Sequence, residues 1–419
     1  MHEIMKNTID ASLTEGFSHP VRDGLWGHVY MTDELSHLTS SVPFMRLCRI
    51  MQLGPVHLTY PGATHTRASH SICVYHLGRR LLQNLCERGA YQWLSGEGVK
   101  SFLCACLLHD LGHFPYTHSL KELPLRSHES LTGAIILKDP MKTLVGNTGA
   151  DPNLTAAIVD KDMNGAGAEL LFYRKLLSGA LDPDKLDYLN RDAWYCGVPY
   201  GAQDVDFILS RLLPHKERGA DIDSRLIPNV ESILFSKYLM YRTVYWHRQV
   251  RSATAMVKKA LINALETSRI SGEELYDLDD MSLFTLLKEK TDSPLVQAVL
   301  EGRVFSPAIE IPAEKVNISA LRDLKYRAEK EKQLEAVLGA EGVIIDIPEA
   351  ISFETGLFVV DEERHFSESS SAFKTETVNS FVKTLYTVRI FINQQINEKL
   401  KEKIKTLPNI LDILYNNAL

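Results

Sequence analysis

The chain has 419 residues, a formal net charge of −7, 45% apolar and 24% charged residues, and six cysteines. That balance describes an ordinary globular protein with room for one large domain and a smaller second one, and it argues against a generic nucleic-acid coat, which wants a basic surface. No C-x-x-C pair occurs, the Met-His-Glu-Ile-Met-Lys start lacks the features of a secretory signal, and no apolar stretch approaches the roughly 20 residues that span a bilayer, so reduced thiols, no membrane and a cytoplasmic location are expected.

In chain order, residues 21–31 read as an irregular or strand-like lead, followed by a helix carrying Phe44, Leu47, Ile50 and Met51. Ser69 is a plausible N-cap for a helix running through Ile72, Leu77, Leu81 and Leu85, and Gly89 fits its end. Helical spacing also fits 99–109, 127–139, 153–161, 167–178, 183–196 and 203–212, with one long helix over about 229–268. Beyond about 270 the texture changes. Runs starting at Gly342 and Gly356 are β-branched and short, residues 367–371 read as an exposed serine loop, and a final helical pattern over 376–416 contains a possible strand at 386–392. The expected fold is therefore mostly α, with a helical domain over 1–270 and a smaller C-terminal α+β region over 271–419.

The feature that carries chemistry is His109-Asp110 at the end of the apolar run 101–108, with His70 upstream and Asp184 downstream. Imidazole nitrogen and carboxylate oxygen together suit a divalent transition metal, and positions left free for water separate a catalytic site from a structural one. A His-Asp pair taken at random is usually a surface dipeptide. Here eight of the fifteen histidines fall between positions 57 and 128, where even spacing would put fewer than three. Asp182 and Asp187 compete with Asp184 as ligands, and spacing alone does not choose. Asp184, Tyr188 and Asp192 recur at i, i+4 and i+8, so they share one helix face. His118 is the leading proton donor, since imidazole titrates near ~6.5, with His113, His128 and Glu129 orienting it or bonding the substrate.

The stretches Gln52-Leu53-Gly54, Tyr60 to Ser71, His109-Asp-Leu-Gly-His113-Phe-Pro-Tyr-Thr-His118, Ser127-His128-Glu129, Asp182 to Asp192 and Met240 to His247 follow one another over residues 20 to 260. Together they resemble the HD-domain metal-dependent phosphohydrolases, and within them the deoxynucleoside triphosphate triphosphohydrolases. The resemblance implies a divalent ion (Fe, Mn, Zn, Ni or Mg) on His70, His109, Asp110 and Asp184, the last being the aspartate immediately before a lysine. It implies phosphate contacts from Arg67, Lys185 and Lys237, the last more often arginine in the family. Tyr188 and Tyr245 match tyrosines beside the deoxyribose, Gln52 and Leu53 match positions near the 3′-hydroxyl and base, and Asp192 matches a 3′-hydroxyl contact.

Two departures stand out. Ala68-Ser69 replaces a more usual aromatic and acid, with ligand spacing kept. Ser40 and Cys48 occupy positions where animal members hold an activating guanine nucleotide, so the resemblance does not extend to that activation. The implied function is hydrolysis of deoxynucleoside triphosphates to deoxynucleoside and inorganic triphosphate by a homo-oligomer, dimer or tetramer. The alternatives are another HD-type nucleotidase or phosphodiesterase, or a non-catalytic nucleic-acid or regulatory binder on the same scaffold; intact ligands and acid groups oppose the last, because buried charge is costly to keep without a partner.

Overall fold

The computed structural model describes residues 2–165 and 167–393, together with Ile404, Ile413 and Leu414. Its fold is mostly helical with small antiparallel sheets. A helix, His2–Thr14, precedes the lead, and the lead itself is a hairpin of His19–Asp23 and Gly27–Met31 with Val21 opposite Val29. Asp23 closes its turn by accepting from the backbone N–H groups of Leu25 and Trp26, both at 2.9 Å.

The next helix, Val42–Leu47, is shorter than its apolar spacing predicts. Ile50 and Met51 leave it to pair with the segment before the next helix: Gln52 N–H donates to the His65 carbonyl and Arg67 N–H to the Ile50 carbonyl, both at 3.0 Å. That helix, Arg67–Glu87, is capped by Thr66 rather than Ser69, so His70 falls in its first turn. Helix Gly96–Leu108 packs against it at close range. A Cβ at Gly78 would lie 2.6 Å from the Cys106 sulfur, so a larger residue there would push the two helices apart. The run 101–108 is buried throughout, each large side chain contributing roughly 1.5–3 kcal/mol of apolar burial. This buried rod ends at His109.

Helices His128–Ile136, Pro152–Val159, Ala168–Leu177, Pro183–Cys196 and Val205–Arg211 follow, close to expectation. The expected long helix over 229–268 is broken. Ile227–Met240 passes into one π-helical turn, Tyr241–Tyr245, and the chain then restarts as Arg248–Glu266, capped by His247. Such turns are seldom found without a functional reason; here the turn carries Tyr241 and Tyr245 onto the cleft.

In the C-terminal part, Thr387–Ile392 is the central strand between Ser306–Pro312 and Val343–Asp346. Helix Thr375–Leu385 ends before that strand, and the rest of the helical pattern predicted to residue 416 lies outside the described residues, save three isolated positions. The serine run is not an exposed loop: Phe366–Ser369 is one helical turn, and Ser370 is buried with its hydroxyl donating to Glu231 at 2.6 Å.

One core joins the hairpin and the helices up to Val250, and Phe353, Leu357, Val359 and Leu385 return to it from the C-terminal part. A second gathers Phe114, Leu120 and Leu131 with Met256, Leu283, Val299 and Phe391. Helix Arg248–Glu266 contributes to both, and the main cleft opens beside it. Among the described residues no helix is long and apolar enough to cross a membrane.

Candidate active site

Three helix ends meet at the cleft. His70 lies in the first turn after Thr66, His109 caps the buried rod, and Asp184 follows Pro183 at the start of its helix. The ligand atoms of His70, His109 and Asp110 all lie within 4.8 Å of one another, and Asp184 Oδ1 is 3.0 Å from His70 Nε2 and 3.9 Å from His109 Nε2. His109 Nδ1–H donates to the Cys106 carbonyl at 2.9 Å, which leaves Nε2 buried with no hydrogen-bond partner. An orphaned buried imidazole nitrogen beside two carboxylates is what a metal-binding donor set requires, so the residues fit a divalent ion.

Asp187 and Asp182 have other employment. Asp187 accepts from His70 Nδ1 at 2.8 Å and is gripped by Arg191 at 2.8 and 3.0 Å and by the Trp26 indole at 2.5 Å. Asp182 caps its helix and accepts from the backbone N–H and the ammonium of Lys185, each at 2.7 Å. Burial alone would lower the His70 pKa, but the hydrogen bonds to Asp184 and Asp187 outweigh it and lift the ring to about 10. Burial alone would also raise Asp110, yet the charges of His113, His109 and Arg67 hold it well below the usual carboxylate range, and Arg67 bonds it at 2.6 Å. Asp184 is likewise held low against its burial by the bond to His70 and by the charges of His70 and His109.

The turn His109-Asp-Leu-Gly-His113 is shaped from behind. A Cβ on Gly112 would stand 2.3 Å from the His128 carbonyl, so only glycine lets helix His128–Ile136 approach this closely. The Thr132 hydroxyl accepts from Gly112 N–H at 2.8 Å and donates to the His109 carbonyl at 3.1 Å. Arg46, buried, donates to the carbonyls of Leu111, His113 and Leu278 at 2.7, 2.6 and 3.0 Å, tying the turn to the second core. The packing gathers three imidazoles: His113 stacks on His128 at 4.0 Å between centroids, and His118 lies 4.8 and 5.2 Å from them. Burial pushes all three below the ordinary histidine value, with neighbouring positive charge assisting. His118 and His128 line the cleft; Glu129 pairs with His128 at 3.1 Å.

Along the helix from Asp184, Tyr188 and Asp192 face the same cleft. Asp192 accepts from His65 Nε2 at 2.8 Å and from the Tyr245 hydroxyl at 2.6 Å. Gln52 and Leu53 also line the cleft, and Gln52 Oε1 is buried without a partner.

The structure does not bring every expected residue to the cleft. Lys185 is held by Asp182 and by the Gly179 carbonyl at 3.0 Å, and Lys237 by Glu354 at 2.9 Å and the Ser352 carbonyl at 2.7 Å; neither lines the cleft as Arg67 does. Lys121, Arg251 and Lys258 line it instead, with Arg251 paired to Asp346 and Lys258 to Glu122. Spacing alone cannot find them, because Arg251 and Lys258 sit on a helix whose sequence reads as core. Asp187 and Arg191 did leave a signal, an Asp-Arg pair at i, i+4 within the motif.

Residues 210–413 match the family described as the HD associated region. The chain is 35% identical over 246 residues to the protein YwfO of Bacillus subtilis, covering 58% of this chain and 55% of that one. It is 22% identical over 387 residues to the deoxynucleoside triphosphate triphosphohydrolase SAMHD1 of Bos taurus, covering 78% and 66%. The chain thus spans about half the length of the Bacillus relative and just under two thirds of the bovine one. Its fold matches that of a phosphohydrolase from Bacteroides thetaiotaomicron with a TM-score of 0.69 at 21% identity, over 90% of this chain and 100% of that one.

Proposed function

Because the chain belongs to the HD-domain phosphohydrolase family, we propose that it is a metal-dependent nucleotide phosphohydrolase that converts a deoxynucleoside triphosphate and water to deoxynucleoside and inorganic triphosphate. The observation that carries this reading is the shared face of helix Pro183–Cys196. Asp184 at its start belongs to the metal-binding donor set, and two turns on, Asp192 is held by His65 and Tyr245, as a sugar-reading carboxylate would be.

His70, His109, Asp110 and Asp184 would hold the divalent ion, which supplies Lewis acidity toward the α-phosphoryl group and makes water a better nucleophile. Arg67, fixed by Asp110, is aimed to bind a phosphoryl oxygen. His118 gives a proton to the departing 5′-oxygen as the bond from that oxygen to the α-phosphorus breaks. Burial keeps its ring neutral in the open cleft, and the roughly four negative charges of a triphosphate raise its pKa on binding, when the proton is needed. Tyr188 and Tyr245 pack against the deoxyribose, and Gln52 and Leu53 receive its 3′-hydroxyl side and the base. We further propose a homo-oligomeric, cytoplasmic enzyme with site roles as assigned above and a domain division near residue 270.

One observation favours a second reading, a nucleotidase acting on shorter phosphates: Lys185 and Lys237 are engaged by carboxylates. Incubation of metal-loaded protein with each canonical nucleotide, followed by chromatography, tests both. Nucleoside plus triphosphate is expected; nucleoside plus orthophosphate from monophosphates alone would favour the second reading, and no turnover of any nucleotide would overturn both.

A further inference from the structure

Four lysine and arginine side chains line the main cleft: Arg67, Lys121, Arg251 and Lys258. Three of them are held by carboxylates. Arg67 bonds Asp110 at 2.6 Å, Arg251 bonds Asp346 at 2.5 and 2.8 Å, and Lys258 stands 2.6 Å from Glu122. Lys121 differs: it is exposed, and among the described residues no carboxylate pairs with its ammonium. The acids of the cleft outside the metal-binding donor set are engaged too, Asp192 by His65 and Tyr245, Asp280 by the Met51 N–H at 2.8 Å and Glu349 by Arg322 at 3.9 Å.

An unpaired lysine on open surface is ordinary, since water solvates it. This one stands on a segment built to present it. Lys121 closes the turn Thr117–Leu120, which begins at Tyr116 with φ 62°, a left-handed conformation that a large side chain seldom takes and that clusters at functional sites. On either side of Lys121 the chain is pinned inward. Leu120 and Leu123 are buried in the second core, Leu123 N–H donates to the Leu120 carbonyl at 2.9 Å, and Glu122 is gripped by Lys258 and by Arg327, the latter at 3.0 Å. With its neighbours committed, Lys121 is left on the cleft, three residues after His118. Its charge reaches His118 and His128, where it adds to burial in keeping both rings below the ordinary histidine value, and so works against a proton there until an anion joins it.

We propose that Lys121 receives the far end of the substrate's polyphosphate, and so distinguishes a triphosphate from a monophosphate in this cleft. The inference rests on the reading above that a phosphorylated nucleotide binds with its α-phosphoryl group at the metal-binding donor set. Arg67, fixed on Asp110, serves the phosphoryl group at that donor set. Tyr188 and Tyr245 offer the sugar uncharged surface, and the Asp192 carboxylate beside Tyr245 repels phosphate, so the tail leaves that face. Arg251 and Lys258 would first have to leave Asp346 and Glu122, and breaking a buried pair is costly. Lys121 is the cleft cation that a tail meets without displacing a carboxylate. A monophosphate ends at the donor set and leaves Lys121 to water. Lys121 is thus a specificity-determining residue, acting on binding rather than on the bond that breaks.

The test uses inorganic triphosphate and orthophosphate as probes on the metal-loaded, full-length protein, so that its outcome is separate from whether nucleotides are hydrolysed. Lys121→Gln removes the charge at an exposed position and leaves no ion pair broken. Calorimetric affinity for inorganic triphosphate is expected to fall about tenfold, with orthophosphate affinity and metal content unchanged, and Lys121→Arg is expected to keep the wild-type preference. Lys142→Gln, an equal loss of charge on helix Met141–Asn147 away from the cleft, is expected to bind both probes as the wild type does. Equal triphosphate affinity in the wild type and Lys121→Gln, or no measurable triphosphate binding by the wild type, overturns the proposal. So does an equal loss for both probes, or the same loss in Lys142→Gln, since either would make Lys121 a general attractor of anions. A selective loss of triphosphate affinity in a protein that turns over no dNTP would retain Lys121 as a polyphosphate ligand and discard the nucleotide reading.

Discussion

Asp187 receives the Nδ1 proton of His70 at 2.8 Å while Asp184 stands 3.0 Å from Nε2, so one imidazole is held between two carboxylates of the same helix with distinct work. Asp187, fully buried and clamped by Arg191, sets the tautomer and aims Nε2 at the cleft. A carboxylate behind a histidine ligand typically supports metal affinity by 10- to 100-fold. Asp187→Asn is therefore expected to weaken binding of a divalent ion by about 10- to 100-fold while leaving Asp184 in place, as read by competition with a chromogenic chelator. Unchanged affinity would show that Asp187 serves only the Arg191 network.

The same geometry sets a pH dependence. His70 has its pKa raised from 6.5 to about 10, against its burial, by Asp184 and Asp187. The imidazolium's contribution to stability is thus complete below pH 6.5 and lost as pH rises through 10. A metal ion must displace that proton, whereas Asp110 and Asp184, both held low, have none to give near neutrality. Metal affinity is expected to climb about tenfold per pH unit between pH 7 and 9, with close to one proton released per ion. Calorimetry in buffers of different ionisation enthalpy measures the release. A count near zero would place the proton elsewhere.

His118 lines the cleft but lies outside the two groups of potential ligands, His70-His109-Asp110 and Asp110-His113-His128. His118→Ala is expected to keep the metal and lower turnover by roughly 10²- to 10⁴-fold, removing the alkaline limb of the pH–rate profile. By contrast, His109→Ala or Asp110→Ala should cost both metal and hydrolysis with helical content retained by circular dichroism. Loss of metal on changing His118 would make it a ligand, and an unchanged rate would remove it from the reaction.

How much of this is legible in the residues differs by element. His70, His109 and Asp110 stand at helix ends, next to caps and apolar runs that mark those ends in any sequence, whereas Asp184 is separated from Asp182 and Asp187 only by the family resemblance, because spacing does not choose among the three. The π-turn at Tyr241–Tyr245 leaves no compositional trace, since its residues suit a continuous helix, and the long helix predicted over 229–268 breaks there. Met51 looks helical because spacing counts only neighbours on its own segment, whereas its partner is Thr66. Lys185 and Lys237 are readable as cations but not as captured ones. Their carboxylate partners are a property of packing, and Glu354 reaches Lys237 from more than a hundred residues away.

The sugar face yields the last prediction. The Tyr245 hydroxyl donates to Asp192 at 2.6 Å, so its proton is committed and is not free for an added 2′-hydroxyl. Burial raises the Tyr245 and Tyr188 pKa values well above the ordinary phenol, so both stay neutral and present apolar ring surface to a bound sugar. A 2′-hydroxyl pressed there loses water and gains no partner, which costs on the order of 1–3 kcal/mol, or about 5- to 150-fold in selectivity. dATP is therefore expected to be turned over in preference to ATP by that margin in kcat/KM. Tyr245→Phe removes the bond to Asp192 but keeps the ring and should retain most of the preference, whereas Tyr245→Ala opens space for water and should lose it. Equal kcat/KM for ATP and dATP in the wild type would remove both tyrosines from sugar recognition.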